Sequence, residues 1–193
     1  MLTSIITTPP LIHPVTAVEL AAHCHIIIQG PAEIELTTTL DSLCAAATMA
    51  MENYLWRALI TQTRMAYAPG TQSWYELPRV PLQTLESFTL QTEAGAALPQ
   101  ATTGFLVDTV NGTIHTKSTT VFPSVTLREL NPIEISYKCG YGVTAETVPA
   151  PIRQCILMLA ATLYRNRENE YEAVQLPRIM ETYRNILSDY RRL

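Results

Sequence analysis

Lysine is scarce in this chain, because only Lys117 and Lys138 among its 193 residues are lysines. Charged residues make up 16% of the sequence, and the formal net charge is -4 at pH 7. Proteins that bind nucleic acid extensively need clustered basic side chains that displace counterions from phosphate. The composition therefore argues against such binding. Sparse charge beside 47% hydrophobic residues favours a chain whose faces are partly covered by other subunits.

The cysteines form no pairs at close spacing, and there is no C-x-x-C motif or secretory signal. Cys24, Cys44, Cys139 and Cys155 are therefore interpreted as reduced and mostly buried thiols of a cytosolic protein. The run His23-Cys24-His25 could supply metal ligands, but no second cluster completes a tetrahedral site, so ordinary packing is favoured over zinc.

A long apolar run is also lacking, since the longest candidate, Ile152 to Tyr164, contains Arg153 and Gln154. A membrane-spanning helix needs about 20 apolar residues. The sequence therefore predicts a soluble protein with no membrane segment.

Catalytic and cofactor motifs are missing: there is no P-loop, G-x-S-x-G, H-E-x-x-H or metal-spaced carboxylate group. Gly140-x-Gly142-x-x-Ala145 fits a loose dinucleotide fingerprint, with Glu168 downstream as a ribose ligand. We reject this interpretation because Val148-Pro149-Ala150-Pro151 delays the helix and no strand follows it. No cofactor is expected, and an enzyme whose site forms only in space is the less favoured alternative.

The central stretch of the sequence joins a strand, a glycine turn and an apolar helix. Ile133 to Lys138 alternates apolar and polar residues, which predicts a half-buried strand. Gly140, Tyr141 and Gly142 then predict a sharp turn that presents one aromatic ring, and they are candidates for contacts between subunits. Pro149 marks the start of the next helix, whose body runs from Ile152 to Tyr164.

The segment before this stretch begins with prolines and continues with helical patterns. Residues 1–15 are predicted as an extended arm that lies on another surface. Thr16-x-x-Glu19 is a capping box, which predicts a short helix to about His25. A second helix is predicted near 38–55, and its apolar face is expected to pack against the helix that starts near Pro149.

Five strands are predicted between the two helical segments, in the stretches 59–65, 84–91, 105–107, 113–115 and 133–138. Asn111-Gly112 between the third and fourth is a strong hairpin signal. The predicted fold class is α+β: a helical core near 38–55, 149–167 and 177–191, with an antiparallel β subdomain inserted at about 59–138. Residues 16–168 would then form one domain.

The C-terminal segment 169–193 is predicted to be an amphipathic helical arm that Pro177 opens. One face of this helix is apolar, and a stripe of that kind needs a groove on its own subunit or on a partner. The candidate partner-contact residues on this face are Ile179, Met180, Tyr183, Ile186, Leu187 and Tyr190.

Several landmarks follow one another in an order that covers most of the chain. They are Glu52 before Arg57-Ala58-Leu59-Ile60-Thr61-Gln62-Thr63, Leu77-Pro78-x-x-Pro81-Leu82-Gln83, Gly95, Tyr137-x-x-Gly140-Tyr141-Gly142, and Val148-Pro149 before the helix ending Tyr164-Arg165-Asn166-Arg167-Glu168. This order resembles the head-to-tail connector, or head-completion adaptor, proteins of long-tailed phages and gene-transfer particles. The sequence departs at Asn53-Tyr54-Leu55-Trp56, where such proteins more often carry a Thr-Gly turn.

The resemblance implies a non-enzymatic virion structural protein, found in the neck of the particle and in the host cytoplasm during assembly. Such adaptors form a ring, typically of twelve subunits, between the portal protein and a stopper or tail-completion protein. Double-stranded DNA passes through the channel without sequence-specific contacts. The resemblance also favours the portal as the partner of the C-terminal stripe. The alternative is a cytosolic oligomeric accessory protein or enzyme subunit.

Overall fold

The computed structural model describes residues 2–27, 33–166 and 175–191, and in residues 175–180 the backbone alone. The chain divides into two compact units. The first consists of Met1–Pro10 and Ile60–Tyr141, and the second of Leu11–Leu59 and Gly142–Leu193.

The first unit is built from antiparallel strands, as the period-two patterns predict. Its described strands are β1 (Thr3–Thr8), β2 (Gln62–Ala68), β3 (Trp74–Glu76), β4 (Leu82–Gln91), β5 (Ala97–Gln100), β6 (Phe105–Asp108), β7 (Thr113–Thr116) and β8 (Ile133–Cys139). The larger sheet has the order β1-β2-β8-β4-β5, and the smaller one has the order β3-β7-β6. All strand pairs in both sheets are antiparallel.

The two sheets of this unit share an aromatic core. Phe88 on β4 lies 5.4 Å from the Tyr75 ring on β3 and 4.4 Å from the Phe105 ring on β6, measured between ring centroids. All three side chains are buried. Ring contacts of this kind add to the apolar area that is removed from water, so they hold the smaller sheet against the larger one.

The predicted alternation in β8 is confirmed, because Ile133, Ile135 and Tyr137 are fully buried. The predicted hairpin is confirmed as well, since β6 pairs with β7 across the Asn111-Gly112 turn. Gly112 has a φ of 67°, a conformation that glycine adopts without strain. The carboxylate of Asp108 accepts hydrogen bonds from the backbone N–H groups of Val110 and Asn111, which fixes the loop.

The second unit is helical in the residues that the structure describes. Its α-helices are α1 (Ala17–Cys24), α2 (Glu33–Leu55), α3 (Ala150–Arg165) and α4 (Gln175–Leu187). The Thr16–Glu19 capping box is confirmed at the start of α1. Helix α2 packs against α3 as expected, and α1 contacts both.

The segment predicted as an extended arm forms strand β1 over Thr3–Thr8, where it pairs with β2. The predicted strands and the start of one predicted helix need correction. Strands β3 and β5 were not among the predicted five, and the first predicted strand, 59–65, is shifted to Gln62–Ala68. The helix predicted near 38–55 begins earlier, at Glu33.

Trp56 explains how the chain leaves α2 without the expected glycine turn. Helix α2 ends at Leu55, and Trp56 then adopts a left-handed φ of 58°. Glycine is the usual residue at this position after a helix. Glu52 supports the turn, because its carboxylate accepts a hydrogen bond of 2.8 Å from the backbone N–H of Leu59. In this chain a tryptophan adopts the left-handed backbone conformation for which glycine is the usual residue.

Candidate assembly surfaces

The turn at Gly140 is fixed by close backbone packing within the first unit. Gly140 has a φ of 128°, and an added Cβ would stand 2.6 Å from the carbonyl carbon of Ile60. Its N–H donates to the Pro81 carbonyl at 2.9 Å, and its carbonyl accepts from Gln83 Nε2 at 2.7 Å. The same Nε2 also donates to Thr61 Oγ1 at 2.9 Å. The predicted need for glycine therefore arises from packing inside this unit.

The other two residues of the turn are less enclosed than Gly140. An added Cβ at Gly142 would meet the Thr147 side chain at 2.6 Å. Tyr141 is half-buried, so part of its ring faces solvent. Of the three predicted turn candidates, Tyr141 is the one with a side chain, and this residue is partly exposed.

Arg64 is a buried cation that sequence reasoning missed. It lies on the buried side of β2 with 8% of its surface exposed, next to Tyr137 in the β2–β8 register. Its Nε donates to Ser4 Oγ at 3.0 Å, and its Nη1 lies 3.4 Å from Gln62 Oε1. The alternating sequence pattern did not indicate that Arg64 is buried. In β8 the buried alternate residues are mostly apolar, whereas in β2 they include Gln62 and Arg64.

Tyr137 is held in the same region by a short hydrogen bond from its hydroxyl to the Pro78 carbonyl. Burial raises the pKa of the Tyr137 hydroxyl well above its usual range, and the nearby Cys139 thiol acts in the same direction. Hydrogen bonding to Ser4 and the charge of Arg64 oppose these two effects without overcoming them. A phenol that stays protonated keeps its role as a hydrogen-bond donor, so this cluster supports the fold.

The C-terminal stripe is only partly available to a partner. Tyr183 is 4% exposed and Leu187 is fully buried within this chain, which corrects the expectation that the whole stripe forms a contact surface. Ile186 remains 39% exposed and Tyr190 is half-buried. The side chains of two further candidates, Ile179 and Met180, lie outside the described residues.

The end of this helix is also tied to its own unit by polar contacts. The Arg57 guanidinium donates to the Tyr190 carbonyl through a short hydrogen bond. The Arg191 guanidinium carbon lies 5.2 Å from the centre of the Tyr54 ring, a cation–π distance. The side of α4 that carries Tyr183 and Leu187 therefore packs on its own unit, and Ile186 lies at the border of that side, where it is 39% exposed.

The outer face of the smaller sheet is a second exposed surface. Trp74, His115 and Leu106 are aligned across β3, β7 and β6. Trp74 is 49% exposed and Leu106 is 56% exposed, and His115 also faces solvent. An aromatic and an aliphatic side chain in one exposed row are typical of contact surfaces.

In residues 2–27, 33–166 and 175–191, no group of three or more His, Cys, Asp or Glu could hold a metal ion, and the four cysteines are free thiols. Helix α3 begins at Ala150, after the delay that the prolines predict. Among the described helices, none is both long enough and apolar enough to cross a bilayer.

No protein-family model and no curated protein matches the sequence. Solved structures do match along the whole chain. A chain in the neck of an empty gene transfer agent particle, computed with C6 symmetry, has a TM-score of 0.78 and 19% identity, covering 100% of this chain and 96% of that one. A chain in the virion of a native gene transfer agent particle has a TM-score of 0.76 and 20% identity, covering 99% and 96%.

A third match is a chain in the neck of the native particle computed with C12 symmetry. It has a TM-score of 0.70 and 21% identity, and the match covers 100% of this chain and 96% of that chain. At identities of this size, the likeness establishes a shared fold over nearly the full length of both chains.

Proposed function

We propose that this chain is a structural protein of a virion neck, a head-to-tail connector that lies between the portal and the stopper or tail-completion protein. The observation that carries the proposal is the full-length fold likeness to chains of gene transfer agent particles. The resemblance of the sequence landmarks to connector proteins supports it independently. The matches cover almost all of both chains, which argues against an enzyme that contains only part of this fold.

The connector forms a ring of identical copies, with twelve subunits as the expected number. Two of the matching structures were computed with C6 and C12 symmetry, which supports a cyclic arrangement. In a cyclic ring each copy contacts its neighbours through two different faces. The exposed Trp74–Leu106 row and the half-buried Tyr141 are candidates in the first unit for one of these faces.

The portal contact uses the exposed part of α4 around Ile186. Tyr183 and Leu187 fix the helix to its own unit, so the contact depends on Ile186 and on residues near it that face solvent. A helix whose inner side is already held is preordered, and its docking costs little further conformational entropy.

Double-stranded DNA passes through the ring without sequence-specific contacts. The formal net charge of -4 supports this role, because a strongly basic channel would retain the duplex. Arginine and polar side chains near the lumen balance the acidic ones along the path.

Deleting the gene in a particle-producing strain tests the proposal. The expected result is filled heads without tails, and particle formation is restored by the wild-type gene supplied in trans. Mass spectrometry of purified wild-type particles should detect the chain in the amount of a ring component. An accessory protein or enzyme subunit of the cytosol would be absent from washed particles, and that result would exclude the connector role.

A further inference from the structure

We propose that Asn111 is a latent site of deamidation, and that Asp108 protects it as long as the β6–β7 hairpin is folded. Asn111 is the only asparagine in the sequence that a glycine follows, and it is exposed at the tip of the hairpin. The inference concerns the chemical lifetime of the chain. It does not depend on the connector role, because it rests on the contacts of this hairpin alone.

Deamidation of an asparagine before a glycine needs no enzyme. The backbone nitrogen of Gly112 attacks the side-chain carbonyl carbon of Asn111, and the new C–N bond closes a cyclic imide. The side-chain nitrogen leaves as ammonia, with the proton that the Gly112 nitrogen gives up. Water then opens the imide at either carbonyl group, which leaves aspartate or isoaspartate, and nothing is oxidised or reduced. Glycine favours the attack because it has no Cβ to obstruct the approach of its nitrogen.

The attacking nitrogen is engaged in the folded hairpin. Gly112 is buried, and its N–H donates to the Asp108 carbonyl at 2.9 Å. The Gly112 carbonyl accepts a hydrogen bond of 2.9 Å from the N–H of Leu77, which is fully buried. The nitrogen has to lose its proton to react, so the bond to Asp108 has to open first. The residues on both sides of Gly112 therefore hold it in a state that resists the reaction.

The side chain that would be attacked is held by the same aspartate. Asn111 Nδ2 donates to Asp108 Oδ2 at 2.7 Å. The backbone N–H groups of Val110 and Asn111 both donate to Asp108 Oδ1 at 3.0 Å. The departing nitrogen is thus bound to a carboxylate, and hydrogen bonds to charged groups are stronger than those between neutral groups. Asp108 thereby restrains both partners of the reaction.

The charge of Asp108 adds to this protection. Hydrogen bonds from Asn111, first from its backbone N–H and then from its side chain, hold the pKa of the Asp108 carboxyl below its usual range. An ionised carboxyl has no proton to give to the departing nitrogen. Its negative charge also disfavours the anionic nitrogen and the oxyanion that form during the attack. It does not serve as the base, because the Gly112 N–H donates to the backbone carbonyl of Asp108.

The product of deamidation would weaken the turn. The Nδ2 donor of Asn111 would be replaced by a carboxylate oxygen, so two negative charges would meet where a hydrogen bond now joins Asn111 to Asp108. Isoaspartate would also add an atom to the backbone between β6 and β7, the strands that carry Leu106 and His115. Deamidation is therefore expected in chains whose hairpin has opened, and it would keep the hairpin from closing as before.

Peptide mass spectrometry measures the conversion. The full-length wild-type chain is incubated at mildly alkaline pH, once folded and once unfolded in guanidinium chloride, and the peptide containing Asn111 is followed for the exchange of NH for O. Conversion in the folded chain should be at least about tenfold slower, because opening breaks a backbone hydrogen bond and a hydrogen bond to a carboxylate. Equal rates in the two states would overturn the proposal.

Asp108→Ser tests the part that the carboxylate plays. Serine has one oxygen that can accept from the backbone N–H groups, but it offers no carboxylate to Asn111 Nδ2. The folded variant should deamidate at least about fivefold faster than folded wild type. Glu93→Ala is the matched control, since Glu93 is an exposed carboxylate in the turn between β4 and β5, and it should keep the wild-type rate. Equal rates for Asp108→Ser and Glu93→Ala would overturn the protective role of Asp108.

Thermal unfolding shows whether the variants are folded at the incubation temperature. If Asp108→Ser is not, Asp108→Asn takes its place, because the amide keeps an oxygen for the backbone N–H groups and removes the charge. Its rate should again exceed that of wild type, and an unchanged rate would contradict the proposal. Asn111→Asp imitates one product and should melt at a lower temperature than wild type. An Asn111→Asp chain as stable as wild type would show that the contact with Asp108 does not hold the turn, and the proposal would fail.

Discussion

Gly140 lies so close to Ile60 that the chain has no space for a side chain there, since an added Cβ would stand 2.6 Å from the Ile60 carbonyl carbon. The contact is between backbone atoms, so no rotamer change can relieve it. The hydrogen bonds of Gly140 to Pro81 and Gln83 hold the two backbone segments at this distance. One glycine thus sets the path of the chain where β8 ends.

Gly140→Ala should lower the free energy of unfolding by at least about 2 kcal/mol. A left-handed φ costs a residue with a Cβ about 1–2 kcal/mol, and the backbone contact adds to this. Chemical denaturation measures the effect. Gly70→Ala is the matched control, because nothing lies within 4 Å of an added Cβ there, and it should change stability by much less.

Ile156→Ala in α3 should cost about 2–5 kcal/mol, because Ile156 is fully buried and the lost volume leaves a cavity. Leu159→Ala should cost less. Leu159 lies on the same helix but is only half-buried, while Ala160 is fully buried. Denaturation curves that rank Leu159→Ala as the more damaging change would contradict this assignment of the buried face.

The stability of the chain should fall as the pH rises above 9. Burial raises the pKa of the Cys44 thiol from 9.0 to about 11, with Asp41 acting in the same direction, and burial alone raises that of Cys155 to about 11. The unfolded chain loses these protons near pH 9.0, whereas the folded chain keeps them up to about pH 11. The folded state therefore binds more protons in this window, so the stability present below pH 9 is lost progressively within it.

The measurement is chemical denaturation at several pH values between 9 and about 11. Cys44→Ala should flatten the decline. Leu40→Ala, a fully buried substitution on the same helix, should lower stability at every pH without changing the slope. Equal slopes for wild type and Cys44→Ala would show that this thiol ionises alike in both states.

Duplex DNA should bind the purified chain weakly and without sequence preference at physiological salt. The 13 lysine and arginine side chains are outnumbered by 17 acidic ones, and the resulting net charge of -4 disfavours tight binding to phosphates. Fluorescence anisotropy with two duplexes of equal length and unrelated sequence would measure this. Tight binding of one duplex over the other would contradict passive passage through a channel.

The sequence predicted the elements that have strong local signals. The Thr16–Glu19 capping box fixed the start of α1, and Asn111-Gly112 fixed the hairpin between β6 and β7. Both signals involve neighbouring residues, whose interactions do not depend on distant parts of the chain. The order of the landmarks resembled that of connector proteins, and the structural match to a chain in a particle neck agrees with this resemblance.

Strand β1 and the buried Arg64 could not be predicted in the same way. Thr3–Thr8 has no alternating pattern, because it lies at a sheet edge where Ile5 and Ile6 are both half-exposed. Burial of Arg64 depends in part on Ser4, sixty residues earlier, whose hydroxyl accepts its hydrogen bond. Such pairings depend on distant contacts, which sequence periodicity does not encode.

The buried and the exposed apolar residues of α4 should respond differently to mutation, and this contrast separates folding from assembly. Leu187→Ala should lower the free energy of unfolding by about 2–5 kcal/mol, because Leu187 is fully buried. Ile186→Ala should change it by less than about 1 kcal/mol, since Ile186 is 39% exposed and a partly exposed side chain loses little burial.

In a particle assembly assay, Ile186→Ala should be more damaging than Leu187→Ala, at a temperature where both variants are folded. If the exposed part of α4 around Ile186 docks on the portal, Ile186→Ala gives filled heads without tails, whereas folded Leu187→Ala still yields complete particles. The assay counts tailed and tailless heads by electron microscopy. Ile27→Ala is the matched control, because Ile27 is 77% exposed and lies far from Ile186 in the sequence. Normal tailing by the Ile186→Ala variant would mean that α4 serves its own unit alone and that the portal is contacted elsewhere.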